Sequence, residues 1–490
     1  MNFRLLSKIL GILLLLMGGT QSLCLAYAYR FDPRHDGLDS FEGLLLSVSV
    51  DLVAGCVLLL LGRGGGKEIL RKEAIAIVGL SWIVCAFFGA IPYLVSEPRM
   101  QLADAFFESM SGFTTTGASI IPDLEQVPRG ILLWRGLTQW LGGLGILVLF
   151  VALLSYLGVG SKALFRHESS AKESGGLQAR IHDVALRMWQ IYLALSLVLF
   201  GGFILLGMPF FDAVCHTFTT VSTGGFSPHN RSLGHYNDPL IECWAMLFMI
   251  LGGVSFMLYA WLLRGKWGRW KKEEETKYFL GVLLVATALI AGYHVFGREN
   301  MTILHALRVA SFQVVSILTT AGFVTADYDL WPTFPVVILL ALMVIGGCTG
   351  STSGGIKISR WLLFARTMKK ELNESFRPNV IRTVGLNGNP VDAELQRQTM
   401  FFIAIAAVII GLTTVITSLL EPQLDLVSSL SASMAIFLNI GPALGQLGPT
   451  ETYAALKAPT KLLFALLMAV GRLEIFAILV LFFPSLWRKY

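Results

Sequence analysis

Four short runs rich in threonine, serine and glycine are the parts of this 490-residue chain whose atoms are arranged for chemistry. They read Thr114-Thr115-Thr116-Gly117-Ala118-Ser119, Ser222-Thr223-Gly224-Gly225-Phe226-Ser227, Thr319-Thr320-Ala321-Gly322-Phe323-Val324 and Leu438-Asn439-Ile440-Gly441-Pro442-Ala443. Their pivot glycines, Gly117, Gly225, Gly322 and Gly441, recur about every 100 residues, the period of a membrane–pore–membrane unit rather than of a soluble repeat. What peptide groups offer here is carbonyl oxygens, and a ring of carbonyl dipoles replaces part of the hydration shell of an alkali cation with no side-chain charge. We therefore read the backbone oxygens of Thr115 and Thr116, Thr223 and Gly224, Thr320 and Ala321, and Asn439 and Ile440 as ion sites, each pair standing directly before its pivot. Glycine suits the pivot because carbonyls that all face one way can require a positive φ. One such turn alone reads as a helix cap or a packing glycine. Four at matching positions between paired apolar segments read as a filter, of which the fourth is the least regular.

Composition says where those turns must sit. At 54% hydrophobic and 14% charged, against about a quarter charged in ordinary soluble domains, the chain is an integral membrane protein. Ten stretches approach the roughly 20 residues needed to cross a bilayer as a helix: 7–29, 43–62, 73–95, 131–158, 186–208, 240–263, 278–296, 333–365, 399–420 and 460–484. Arg4 and Lys8 precede the first as in a signal peptide, but no convincing small-residue cleavage site follows and a second span comes soon after, so the segment is kept as a helix. Asp104 to Phe113 has length for only about three helical turns. It must re-enter, leaving Thr114–Ser119 as extended backbone at membrane depth, which is tolerable only where the backbone lines a polar cavity or is buried in protein. The same pattern starts at Asp212, and looser versions precede Gly322 and Gly441. Arg63, Lys67, Arg71 and Lys72 follow the second span, Arg264, Lys266, Arg269, Lys271, Lys272 and Lys277 the sixth, and Arg488 and Lys489 the last. Basic residues mark cytoplasmic ends, so both termini are expected inside. The net charge of +6 is mostly this bias. No basic patch with interleaved aromatics points to nucleic acid.

A second anomaly is the polar run Gly346–Lys357 in the eighth span, with Gly346, Gly347, Gly350, Ser351, Thr352, Ser353, Gly354, Gly355 and Lys357 where a lipid-crossing helix should be. It breaks the helix and survives only inside protein, either as tight packing through small residues or as a flexible segment beneath the turns. Arg472, near the middle of the last span, costs about 2.5–3.5 kcal/mol on insertion scales. It faces a water-filled path or pairs with an acid; Glu474, two residues on, points in a different direction on a helix. Asp51 reads as interfacial or hydrogen-bonded within the first hairpin, Glu108, Asp212 and Arg308 as anchors of the short helices, and Lys271–Glu275 as a solvated helix end. Cys24, Cys56, Cys85, Cys215, Cys243 and Cys348 form no Cys-x-x-Cys pair and read as packing. There is no P-loop, His-Glu-x-x-His or Rossmann fingerprint, so we expect no enzyme and no covalently bound cofactor.

With these motifs in view, the chain resembles the superfamily of potassium uptake proteins that includes bacterial Trk and Ktr subunits and plant high-affinity potassium transporters, and is most similar to the TrkH type. Beyond the four turns the resemblance rests on Gln139-Trp140-Leu141-Gly142-Gly143-Leu144-Gly145-Ile146, on Gly346–Lys357 and on Gly471-Arg472-Leu473-Glu474, and it covers nearly the whole chain. It implies an all-α membrane fold of ten transmembrane helices and four re-entrant pore helices. Four membrane–pore–membrane repeats at 70–165, 180–268, 275–370 and 395–490 surround a central pore, preceded by an N-terminal hairpin at 1–66. It implies that Gly346–Lys357 is an intramembrane gate, that Arg472 lies on the pore below the filter, and that a glycine at position 117 goes with potassium rather than sodium. It further implies a homodimer in the bacterial inner membrane that meets a cytosolic regulatory subunit with nucleotide-binding domains. Arg377-Pro378-Asn379 through Asn387-Gly388-Asn389-Pro390-Val391 resembles a cytoplasmic hairpin of the family, with Arg377 where a histidine is usual. The residues themselves leave three matters open: sodium against potassium, a secondary symporter built on broken helices, and proton or sodium coupling. Coupling is unnecessary on energetic grounds, because the membrane potential supplies about 2.3 kcal/mol per charge per 100 mV.

Overall fold

The computed structural model describes residues 2–32, 40–64, 71–97, 99–145, 177–265, 267–297, 301–377 and 383–487. Lys67, Lys266, Arg488, Lys489, Pro378, Asn379 and the 146–158 part of the fourth expected span lie outside the described residues. Apolar side chains dominate every long segment, and in a bilayer only a helix satisfies its own backbone groups without water. Among the described residues, six helices are long and apolar enough to cross alone: Phe3–Phe31, Ser40–Leu61, Glu73–Val95, Asp183–Leu205, Glu275–Phe296 and Ala393–Leu420. Three short helices lie between them and a fourth follows the last: Leu102–Phe113, Phe210–Val221, Ile303–Leu318 and Leu426–Phe437. At about 1.5 Å per residue none of the four reaches the roughly 30 Å of a hydrocarbon core.

The remaining expected spans are not continuous helices. Pro239–Gly253 and Phe256–Leu262 meet at 90°, a break that hydropathy alone does not reveal. Thr333–Met343 and Ile358–Phe376 flank the non-helical Gly346–Lys357 segment, as its composition predicts. The last long helix, Ala458–Arg472, stops at Arg472 itself, where Glu474 (φ 56°) and Ile475 (φ 70°) turn the chain before a single turn at Phe476–Leu479. Arg472 therefore stands at a helix end, at a break within the expected span. Arg129–Trp140 similarly gives way to a wider π turn at Leu141–Gly145.

The first two helices form a hairpin whose backbones touch. A methyl group on Gly11 would fall 2.8 Å from the Gly55 carbonyl oxygen, and one on Gly55 would fall 2.9 Å from the Leu15 side chain. Small residues are what let membrane helices approach this closely. Asp51 departs from expectation: it is fully buried, and among the described residues neither carboxylate oxygen has a hydrogen-bond partner. The hairpin shares its apolar core with the helix Arg71–Gly89, with Arg129–Trp140 and with part of Leu102–Phe113, while a larger core takes residues from all four short helices.

On the polar side, Gly385–Leu386 pairs antiparallel with Asn389–Pro390. Asn387 (φ 55°) and Gly388 (φ 77°) make the tight turn, the signature of a two-residue hairpin. Glu274 accepts from Arg366 (2.8 Å) and from the Asn387 N–H (3.0 Å), docking the hairpin. Those two bonds, Arg366 first, hold the Glu274 carboxyl below the usual range. The Lys271–Glu275 run is thus not a freely solvated helix end: Glu273 and Glu275 are buried, and Glu275 accepts from the Thr349 N–H at 2.8 Å. The Gly11–Gly55 contact leads to one expectation. Gly55→Leu should push the hairpin apart and destabilise the protein by about 1–3 kcal/mol, the usual cost of overpacking, read as a lower melting temperature of the purified protein in detergent. Unchanged melting would show that this contact is slack.

Candidate functional site

All four short helices end in the same way. The N–H of Thr115, Thr223, Thr320 and Asn439 donates to the carbonyl three residues back, Gly112, Thr220, Ile317 and Ile436, at 3.0, 3.0, 3.0 and 3.4 Å. The next N–H, that of Thr116, Gly224, Ala321 and Ile440, donates five residues back to Ser111, Thr219, Ser316 and Ala435 at 2.8–2.9 Å. This pair of bonds is the Schellman helix stop, which places one residue in the left-handed region and normally uses glycine there. Here that residue is Thr115 (φ 54°), Thr223 (φ 52°), Thr320 (φ 57°) or Asn439 (φ 55°). Asparagine tolerates this conformation, whereas a β-branched threonine with positive φ is a strained outlier. Two residues on, the pivots Gly117, Gly225, Gly322 and Gly441 are again left-handed, at φ 81°, 81°, 73° and 97°. The alternation of positive, negative and positive φ over three residues is common to all four turns, and no sequence signal announced its first member.

The turns close on one another. A Cβ on Gly117 would lie 2.2 Å from the Gly224 carbonyl oxygen, on Gly225 2.0 Å from that of Ala321, on Gly322 2.2 Å from that of Ile440, and on Gly441 2.6 Å from that of Thr116. Each pivot thus abuts the carbonyl preceding the next pivot, and the fourth returns to the first. Thr115, Thr116, Thr223, Gly224, Thr320, Ala321, Asn439 and Ile440, separated by hundreds of residues, are brought into one buried ring.

Side chains from behind hold the ring. Gln139 donates to the Gly224 carbonyl (2.7 Å) and accepts from the Phe226 N–H (3.0 Å), and Tyr453 donates to the Gly441 carbonyl (2.9 Å). The Asn439 amide donates to Thr116 Oγ1 (2.8 Å) and to the Met468 carbonyl (3.0 Å), tying the least regular turn to the first. Glu108 and Arg135 form a fully buried pair at 2.6 Å. Glu108 also accepts from the Ile120 N–H (2.9 Å), while Arg135 donates to the Ser227 carbonyl (2.8 Å) and lies 3.6 Å over the Phe226 ring. One charge pair thereby links the segments leaving turns one and two. Asp212 accepts from His229 and Tyr236, and Arg308 binds Glu242 through two 2.7 Å bonds, so the three residues expected as anchors do bind neighbouring elements.

The Gly346–Lys357 segment lies against the ends of the short helices. The Thr352 hydroxyl reaches the Gly252 and Val221 carbonyls (3.0 and 3.3 Å), and the Gly354 N–H donates to Thr320 Oγ1 (2.6 Å). The Gly355 N–H donates to the Leu438 carbonyl (2.8 Å). Gly350 and Gly355 have positive φ, Gly347 packs on Ser353 and the Gly253 carbonyl, and Lys357 donates to the Ser353 carbonyl. Among the described residues Arg472 finds no acid: its guanidinium donates to the carbonyls of Thr352 (2.8 Å), Gly143 (2.9 Å) and Gly142 (3.2 Å). Glu474 instead pairs with Arg360. Arg472 therefore bridges the Gly346–Lys357 segment to the π turn at Leu141–Gly145.

The Glu108–Arg135 pair makes the assembly testable. Glu108→Ala leaves the Arg135 guanidinium buried and unpaired, which should cost about 3–5 kcal/mol and lower the melting temperature of the solubilised protein sharply. A variant as stable as the parent would remove this pair from the support of the ring.

Comparison with known proteins agrees with this architecture. The TrkH family model, described as cation transport protein, matches residues 50–489. The Trk system potassium uptake protein TrkH of Salmonella typhimurium strain LT2 is 35% identical over 498 residues, covering all of both chains. The Trk system potassium uptake protein TrkG of Escherichia coli K12 is 32% identical over 432 residues, covering 87% of this chain and 88% of the relative. The crystal structure of the potassium transporter TrkH from Vibrio parahaemolyticus superimposes with a TM-score of 0.88 at 31% identity over the full length of both chains. The chain belongs to the TrkH family of cation transport proteins, which are transporters and not enzymes.

Proposed function

We propose that this protein takes up potassium across the bacterial inner membrane through a channel-like pore whose selective part is the ring of four turns. The observation that carries this reading is the cyclic approach of each pivot glycine to the carbonyl before the next one. In this reading the oxygens of Thr115, Thr116, Thr223, Gly224, Thr320, Ala321, Asn439 and Ile440 exchange with the hydration shell of the ion. The four short helices are re-entrant within ten spans, in repeats at 70–165, 180–268, 275–370 and 395–490 behind the hairpin at 1–66, with both termini cytoplasmic. The names of the relatives, Trk system potassium uptake proteins, support potassium as the transported ion. No resident cofactor is needed. Four like turns in one ring favour a pore over a symporter, which usually interrupts two helices in inverted halves.

Gly346–Lys357 acts as the gate and Arg472 as a fixed positive charge beneath the filter. The bonds from this segment to the short-helix ends and to Arg472 support both roles. A guanidinium stays protonated at physiological pH, and two unit charges about 6 Å apart at an effective dielectric near 20 repel by roughly 3 kcal/mol. Regulation by a cytosolic nucleotide-binding subunit that meets a homodimer of this chain follows from the family resemblance.

Rubidium flux into proteoliposomes under an imposed potential tests the whole reading. Gly225→Ser should fold and yet lose discrimination between potassium and sodium, because its Cβ displaces the Ala321 carbonyl. Unchanged relative permeability would take this turn out of the filter. Arg472→Ala removes only bonds to carbonyls and strands no opposite charge, so the variant should fold and conduct up to about a hundredfold faster, the equivalent of roughly 3 kcal/mol, with selectivity retained. Parental flux in well-folded Arg472→Ala protein would show that the arginine is a structural brace alone.

A further inference from the structure

A cluster outside the ring has the composition of a metal site. Glu125, in the segment leaving the first turn, and His229 and His235, in the segment leaving the second, each offer one ligand atom, and the three atoms lie within 4.8 Å of one another. The two imidazoles are stacked with centroids 3.8 Å apart and planes 2° from parallel. Stacked in this way, the in-plane nitrogen lone pairs run parallel, so a shared ion with metal–nitrogen bonds of about 2.0–2.1 Å requires the exposed His235 ring to turn towards it.

The surroundings are built and not incidental. Asp212 accepts from His229 Nε2 (3.0 Å) and from the Tyr236 hydroxyl (2.8 Å), so the carboxylate orients the ring and keeps its proton on Nε2. His229 Nδ1 is then a buried nitrogen with a lone pair and, among the described residues, no hydrogen-bond partner. A carboxylate behind one imidazole nitrogen while the other is free is the outer-shell arrangement that raises ligand basicity at metal centres. Asn230 already clasps the two segments beside the cluster, accepting from the Leu124 N–H (2.7 Å) and donating to Asp123 (2.9 Å). The ligands therefore come from two repeats whose relative position is set before any ion arrives.

We propose that Glu125, His229 and His235 form a binding site for a late first-row divalent cation of the zinc class, which bridges the segments leaving turns one and two. Two imidazoles and one carboxylate suit zinc, whereas magnesium and calcium favour all-oxygen shells. The site is separate from the carbonyl ring and does not depend on which ion the ring conducts.

Isothermal titration of the full-length protein in detergent with zinc chloride, with magnesium chloride as control, tests it directly. The parent should bind one zinc per chain at this site, unaffected by magnesium, and zinc should raise its melting temperature, since an ion that binds only the folded state stabilises it. His235→Gln and Glu125→Gln are exposed substitutions that leave the Asp212–His229–Tyr236 bonds intact. Each should weaken zinc binding at least about tenfold and remove the shift in melting. The proposal is overturned if the double variant titrates and melts with zinc as the parent does, if the parent shows no saturable zinc binding, or if magnesium at equal concentration displaces zinc.

Discussion

Everything in this structure answers to one constraint: a peptide group taken out of water must find a partner inside the protein, because the bilayer offers none. Long helices meet it along their length. The difficulty is concentrated where the four short helices stop, since the last carbonyls and the next amides of each would otherwise be orphaned. A repeated helix stop satisfies the amides of Thr115 and Thr116 and of their three counterparts. It does so at the cost of setting threonine three times in a conformation that favours glycine. Strain of this kind persists only where the surroundings over-determine it. Gln139, Asn439, Tyr453 and the Glu108–Arg135 pair are those surroundings.

The helices that follow the turns are shaped by the same requirement. Glycine at the break lets each approach the end of a short helix: a methyl group on Gly142 would fall 1.8 Å from the Phe113 carbonyl oxygen, and one on Gly471 1.7 Å from that of Phe437. Backbone groups freed by these breaks are not left empty. The Gly252 carbonyl accepts from Thr352, the Gly253 carbonyl from the Cys348 N–H, and the Gly142 and Gly143 carbonyls from Arg472. Arg472 is tolerable without an acidic partner because three oriented carbonyl dipoles share its charge. The interrupted helices and the buried arginine are therefore two sides of one arrangement.

The turns were legible in the sequence because both of their signals are local: a pivot glycine, and a preceding apolar segment too short to cross. Gly346–Lys357 was legible for the same reason, as a polar run in an apolar context. What holds the turns was not. Asn439 meets Thr116 across 323 residues and Gln139 meets Gly224 across 85, and nothing in the neighbourhood of either residue encodes the partner. The 90° break after Gly253 escaped because its flanks are as hydrophobic as an intact span. The glycine pair at Gly252-Gly253, repeated at Gly142-Gly143 and Gly346-Gly347, was the signal available. Asp51 was misjudged because an acid in an apolar helix is expected to find a partner, and here it is buried without one.

That the ring is written once along a single polypeptide has a consequence for how it can change. In a ring of four identical subunits any substitution arrives four times over, and an intermediate degree of alteration is out of reach. Here the residues before the pivots are Thr-Thr, Thr-Gly, Thr-Ala and Asn-Ile, already four different chemistries in one frame. A coding change touches a quarter of the circumference while three neighbours hold the geometry. Such a ring can change in small steps, one quadrant at a time, and Asn439 with its bond to Thr116 shows that one quadrant can differ in chemistry while the circle stays closed.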